Sequence, residues 1–321
     1  MNGPGSVCVL SALLLAQPVM AAESYPARPI RMIVPAAPGG GPDITGRIIA
    51  AEIGKQMGQQ VVVENRPGSA ALIGFAATAR ATPDGYTIGL VTFPIATNPS
   101  MFTTLPYDAF RDFQMVVQLA SGVNVLAVRP ALPVKTVQEL VALARKSPGT
   151  LSFGSSGNGT SMHLSMELFK QMTGTDILHV PYKAIQQAIT DALGGQIEIV
   201  CDNMGSILPH VKAGRMRALG VTSPKRSAVI PEVPTVAEQG MPGYEMTPWS
   251  GFMVPARVPR EIVLRLNAEI NKAILSPVLD TNFALNGSTR VGGTPGRFTE
   301  HVRKEIAKWG QVLKAAGIRP E

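Results

Sequence analysis

"PAAPGGGPDITGR", Pro35 to Arg47, sets three consecutive glycines between an apolar run and a helical pattern. The run before it, "IRMIV" (30–34), reads as a buried strand. Ile44, Ile48, Ala51 and Ile53 after it approximate one face of a helix. In an open parallel sheet such a junction lies at the carboxyl end of a strand, where ligands bind. The helix start offers unpaired N–H groups and a partial positive charge, which suits a carboxylate or a phosphate. Neither nucleotide motif is met. No Lys-Ser/Thr follows the glycines, and G-x-G-x-x-G fails at Ile44. Pro42 removes one donor, and Asp43, read as the second helical residue, would repel a polyphosphate. Two readings stay open: a loop that holds an organic anion, and a tight turn in which Asp43 complements the helix dipole.

Working outward, "VVVEN" (61–65), a small-residue helix near 69–79, the turn "TPDG" (82–85) and "YTIGLVT" (86–92) complete a βαβαβ order, which argues for a parallel sheet covered by helices. After "DFQMVVQLASG" the pattern restarts. "NVLAVRP" (124–130) leads to a helix opened by a Thr136/Glu139 capping box and stopped by Pro148-Gly149. Strands at 151–156, 177–182, 197–203 and 216–223 then alternate with helices at 161–172 and up to Leu193. The chain returns at "TPWSGFMVPA" and ends in helices near 260–275 and 295–316, the second with Thr294 as cap. Two α/β units joined by crossing segments near 121–125 and 246–252 place a ligand site at their interface.

Three more strand-to-helix junctions carry polar groups. "FGSSGNGTSMH" (153–163) resembles a hydrolase elbow, but G-x-S-x-G fails at Asn158, and no acid is identifiable for a Ser156/His163 pair. Ser156 and Thr160 read as hydroxyl donors near a helix start, and His163 reads as structural. "HVPYKAIQQA" (179–188) offers Lys183, and "VCDNMGS" (200–206) offers Asp202, a candidate acceptor for a ligand donor or a loop N–H.

A net charge of +7 spread without any basic run fits a general attraction for anions and argues against nucleic acid. His163, His179, His210 and His301 are scattered, so no metal is expected, and no cofactor motif appears. At the N-terminus "VCVLSALLLA" is too short to span a membrane. With Val19 and Ala21 before Ala22 it fits a cleaved secretory signal over residues 1–22, although "MNGPGS" lacks the usual positive charge. Cleavage leaves Cys201 alone, a buried small hydrophobe without a disulfide partner.

These pieces together are similar to a known family. "YPARPIRMIVPAAPGGGPDITGR", "VVVENRPGSA" with "ATPDGYTIGL", "NPSMFTTLPYDAFRDF", "SSGNGTSMHLSMELFK", "VPYKAIQQAITDALGGQIEIVCDN", "HVKAGRMRALGVTSPKRS", "PEVPTVAEQGMPGYE" and "VGGTP" resemble, in order, the extracytoplasmic solute receptors of tripartite tricarboxylate transporters, the TctC or Bug family. The resemblance implies a non-enzymatic, monomeric periplasmic receptor, with membrane permease subunits as partners and a small organic anion (mono-, di- or tricarboxylate, or amino acid) as ligand. It implies a type II-like periplasmic-binding-protein fold, with two lobes, each a mainly parallel sheet flanked by helices, and a cleft between them. Lobe 1 would comprise 23–123 and 248–321, and lobe 2 would comprise 124–247. The carried-over ligand residues are Ala37, Pro38, Gly39, Gly40, Gly41 and Asp43 in lobe 1, with Ser155, Ser156, Thr160, Tyr182, Ala184 and Asp202 in lobe 2. A sensing module for a membrane signalling partner is the alternative on the same fold. The chain departs from the family pattern at Ala36, at Pro42 and above all at "YKAIQQA", where the family has "YKGGAPA". Ala184 and Ile185 replace glycines, so a smaller or more apolar carboxylate is expected.

Overall fold

In the computed structural model, which describes residues 25–68, 70–315 and 317–318, the alternation read from the sequence forms two sheets. The signal segment expected over 1–22 lies outside the described residues. The chain gives β1 (Ile30–Val34), α1 (Gly41–Met57), β2 (Val61–Asn65), α2 (Leu72–Ala79), β3 (Thr87–Thr92), α3 (Pro94–Met101) and β4 (Phe113–Ser121). It continues with β5 (Asn124–Val128), α4 (Val137–Lys146), β6 (Ser152–Ser155), α5 (Ser161–Thr173), β7 (Leu178–Pro181), α6 (Ile185–Leu193), β8 (Ile199–Asn203), α7 (Met204–Lys212) and β9 (Arg217–Val221). It returns through β10 (Trp249–Pro255), α8 (Arg260–Ala273), α9 (Pro277–Leu285), β11 (Thr289–Arg290) and α10 (Pro295–Ala315).

The first sheet has the order β11-β4-β10-β3-β1-β2 and the second β7-β6-β8-β5-β9. β1 pairs in parallel with both β2 and β3, while β10 runs antiparallel between β3 and β4. In the second sheet β6 is parallel to β7 and β8, and β5 alone opposes its neighbours β8 and β9. Both sheets are therefore mixed, each with a parallel three-stranded part (β3-β1-β2 and β7-β6-β8) extended by antiparallel pairs, not mainly parallel as expected. The loops that carry the expected ligand residues leave the carboxyl ends of β1, β6, β7 and β8.

The local reasons are legible. Ile30, Met32 and Val34 alternate onto one face of β1 and pack with Ile49 and Ile53 of α1. Gly58 ends that helix in the left-handed region at φ 68°. α2 starts three residues later than periodicity suggests, because Ala70 and Ala71 take left-handed φ values of 49° and 70°. Thr136 caps α4 as expected, accepting from the Glu139 amide at 3.1 Å, while Glu139 reaches back to the Lys135 amide. Thr294 caps α10 through the Arg297 amide at 3.3 Å. The core lines both faces of each sheet. Leu164 of α5 joins the cluster of Phe75, Phe93, Trp249, Phe298 and Trp309 beneath the first sheet, so the two units share apolar packing. Among the described residues no helix is long and apolar enough to cross a membrane.

Candidate ligand site

Asp43 organises the first glycine loop. It is the third residue of α1, one later than read from the sequence, and only 2% exposed. One oxygen accepts from the Gly39 amide at 2.8 Å and the other from Asn65 Nδ2 at 2.9 Å. Arg47 Nε lies 3.0 and 3.1 Å from the two. Burial pushes its pKa up, but the bonds from Arg47, Gly39 and Asn65 outweigh that and hold the carboxyl below its ordinary value. The repulsion expected of Asp43 is therefore neutralised within the loop, and its oxygens are already engaged. Asp43→Ala should cost about 2–3 kcal/mol in urea denaturation, because buried donors lose their acceptor. A loss under about 0.5 kcal/mol would show that these bonds carry little.

With Asp43 turned inward, the loop's other groups face outward. Ala37, Pro38, Gly39 and Gly41 are exposed. Among the described residues the amides of Ala37, Gly41 and Asp43 have no acceptor, whereas Gly40 N–H reaches the Ala37 carbonyl at 3.3 Å. Gly39 needs its missing side chain, since φ is 78°. Gly41 does not: its φ lies outside the left-handed region and a Cβ there would meet nothing within 4 Å.

The second loop is braced from below. Ser155 is fully buried, so it supports the loop instead of lining a ligand gap. Its Oγ lies 2.7 Å from His179 Nε2 and accepts from the Gly157 amide at 3.1 Å. His163 Nδ1 accepts from the Gly159 amide at 3.2 Å. The two imidazoles stack with centroids 4.1 Å apart, and His179 stacks on Phe153 at 4.7 Å. Burial, then the neighbouring His179 and Lys170, lower the His163 pKa to about 3; burial and Lys170 lower that of His179 to about 4. The histidines read as scattered thus include a neutral stacked pair, joined because β6 and β7 lie side by side. Reading His163 as structural agrees with this.

Above that brace, Thr160 caps α5 and donates to the Gly157 carbonyl at 2.8 Å. Ser156 Oγ contacts Met162 Sδ at 2.8 Å. His163 is committed to Gly159, so Ser156 and His163 do not form a nucleophile–base pair, and the hydrolase alternative loses its geometry. The amides of Ser156, Thr160 and Ser161 have no acceptor among the described residues.

The remaining predicted residues divide. Tyr182 donates its hydroxyl to Asp191 at 2.8 Å, so that hydroxyl already has a partner. Ala184 caps α6 by backbone alone, and among the described residues the amides of Ala184 and Ile185 have no acceptor. Ile185, expected to crowd the ligand, is turned into the core with Ala188 and Ile189 and is 8% exposed. The expected loss of room therefore comes down to one methyl group, that of Ala184. Asp202 is fully buried, one of its oxygens has no partner among the described residues, and burial pushes its pKa up to about 7. Lys183 is exposed. Cys201 is a buried thiol, pushed up to about 12 by burial.

The second glycine loop touches the first unit through α3. β1 and β3 are parallel neighbours, so loop 35–40 and the start of α3 leave the same edge of the first sheet. Thr97 of α3 donates to the Gly159 carbonyl at 2.9 Å, pressing the second loop against that edge. Sequence reasoning missed Thr97, because "FPIATNPSM" carries two prolines and no amphipathic stripe.

A family model described as tripartite tricarboxylate transporter family receptor matches residues 45–318. Protein BugT of Bordetella pertussis is 37% identical over 307 residues, which are 95% of this chain and 94% of BugT. The structure of R. palustris Rpa4515 with adipate aligns at TM-score 0.87 and 37% identity, over 92% of this chain and all of that one. MatC (Rpa3494) from Rhodopseudomonas palustris with bound malate aligns at 0.83 and 27% identity, over 90% and 100%. Two sheets flanked by helices thus have counterparts among solute-binding proteins. The chain belongs to the tripartite tricarboxylate transporter receptor family, TctC.

Proposed function

We propose that the protein captures a small organic carboxylate between two lobes, residues 23–123 with 248–321 and residues 124–247. In the periplasm it then delivers that acid to the permease subunits of a tripartite tricarboxylate transporter. The observation that carries this reading is Gly41. Neither backbone conformation nor packing requires a glycine there, and its missing side chain leaves the backbone open to close approach. It sits beside open amides at a helix start, where an anion would approach the backbone closely. The acids named with the two aligned structures, adipate and malate, are carboxylates and support the ligand class. Closure of the lobes would exclude water and strengthen each amide–carboxylate bond. No step changes the ligand covalently.

Thermal unfolding with mono-, di- and tricarboxylates, amino acids and aromatic acids tests this. A ligand at about a hundred times its Kd adds about 2.7 kcal/mol to stability. At least one acid should raise Tm in the wild type and fail to do so in Gly41→Leu, which fills the approach. No shift across the panel would end the reading. Native mass spectrometry should find any retained acid chemically unchanged, whereas a modified product would favour an enzyme.

A further inference from the structure

Away from the junction, at the amino-terminal edge of the first sheet, Arg28, Arg31, Arg80, Asp84, Tyr86 and Thr87 line an open cavity of about 450 Å³, within the range of small-ligand sites. Arg31 and Thr87 are direct partners across β1 and β3, so their side chains share a face. Arg80 caps the end of α2, and no group pairs with its guanidinium among the described residues. Arg31 is held only loosely by Glu64, at 3.5 Å, while Glu64 is closely paired with Arg66. Arg28 is fixed, bonded to Asp84 at 2.8 Å and stacked 4.2 Å from the Tyr86 ring centroid. Thr87 is 8% exposed, and its hydroxyl has no protein partner among the described residues.

Three guanidiniums against one carboxylate leave two positive charges around this cavity. Asp84 and the carbonyl end of α2 offset part of the field, so a singly charged ion gains little. A doubly charged group with oxygens in several directions gains most, because it engages two arginine forks and the Thr87 hydroxyl at once. We propose that this cavity binds a phosphate monoester-type dianion, as free phosphate or as a lipid headgroup, independently of the junction between the sheets.

The test titrates the full chain with inorganic phosphate at constant ionic strength by calorimetry, and separately measures sedimentation with phosphatidylcholine vesicles doped with phosphatidic acid. Phosphate should bind the wild type and Gly41→Leu equally. It should bind Arg31→Gln/Arg80→Gln about tenfold or more weakly, since two charge-assisted contacts are lost. Both arginines are exposed, so circular dichroism should find the variant folded. Vesicle capture lost in the variant assigns the headgroup as the source; phosphate binding without vesicle capture assigns the free ion. The proposal is overturned if phosphate does not bind the wild type, or binds the arginine variant as tightly.

Discussion

Relative to a His163→Asn/His179→Gln variant, the wild-type protein should lose about 3–4 kcal/mol of stability between pH 7 and pH 5. Unfolded, both imidazoles take up protons below about pH 6.5, whereas folded they resist until about pH 4 and pH 3. In that window the unfolded chain binds more protons, so stability falls with pH and then levels off below the folded values. Asn at 163 and Gln at 179 retain an acceptor for the Gly159 amide and a partner for Ser155 without titrating. Asp202 acts in the opposite direction. Its raised pKa, about 7, means that the folded protein takes up this proton first, which stabilises it as pH falls from 7 towards 4. Because Asp202 is present in both proteins, it cancels in the difference. Urea midpoints measured across pH 5–7 give the answer, and parallel curves for the two proteins would remove the stacked pair from the account.

Gly251→Ala should destabilise the protein by about 3 kcal/mol, the upper range for overpacking a core. Gly251 lies in β10 beneath α10, and a Cβ there would sit 2.3 Å from the Phe298 ring and 2.6 Å from the Val117 carbonyl. The ring is fully packed and the carbonyl belongs to the sheet, so neither yields cheaply. Gly296→Ala, where a Cβ meets nothing within 4 Å, is the control and should stay within about 0.5 kcal/mol of wild type. Adding Phe298→Leu to Gly251→Ala should recover part of the loss, by making room. A cost below about 1 kcal/mol for Gly251→Ala would show that α10 repositions freely.

How much the residues told in advance follows from their chemistry. Runs such as 30–34, 61–65 and 199–203 are apolar enough to be strands wherever they sit, and the Thr136 and Thr294 caps are local devices. α3, α7 and α9 were not legible. α3 and α7 each contain an interior proline, and α9 presents only two buried positions, Leu279 and Phe283. The glycine loops could be located, but not the role of each residue. That Asp43 folds back, that Ser155 is buried and that Ile185 points inward depend on tertiary neighbours. The His163–His179 stack joins α5 to β7, and only the β6–β7 pairing brings those residues together.

β10 has a consequence for how the chain comes together during synthesis. It fills the middle of the first sheet, yet it is made after every strand of the second. Until Trp249–Pro255 has emerged, β3 and β4 face each other across an empty lane, both with unpaired edges that invite wrong partners. The contiguous stretch 124–221 meets no such delay, so the later-made sheet closes first and the earlier one waits for its keystone.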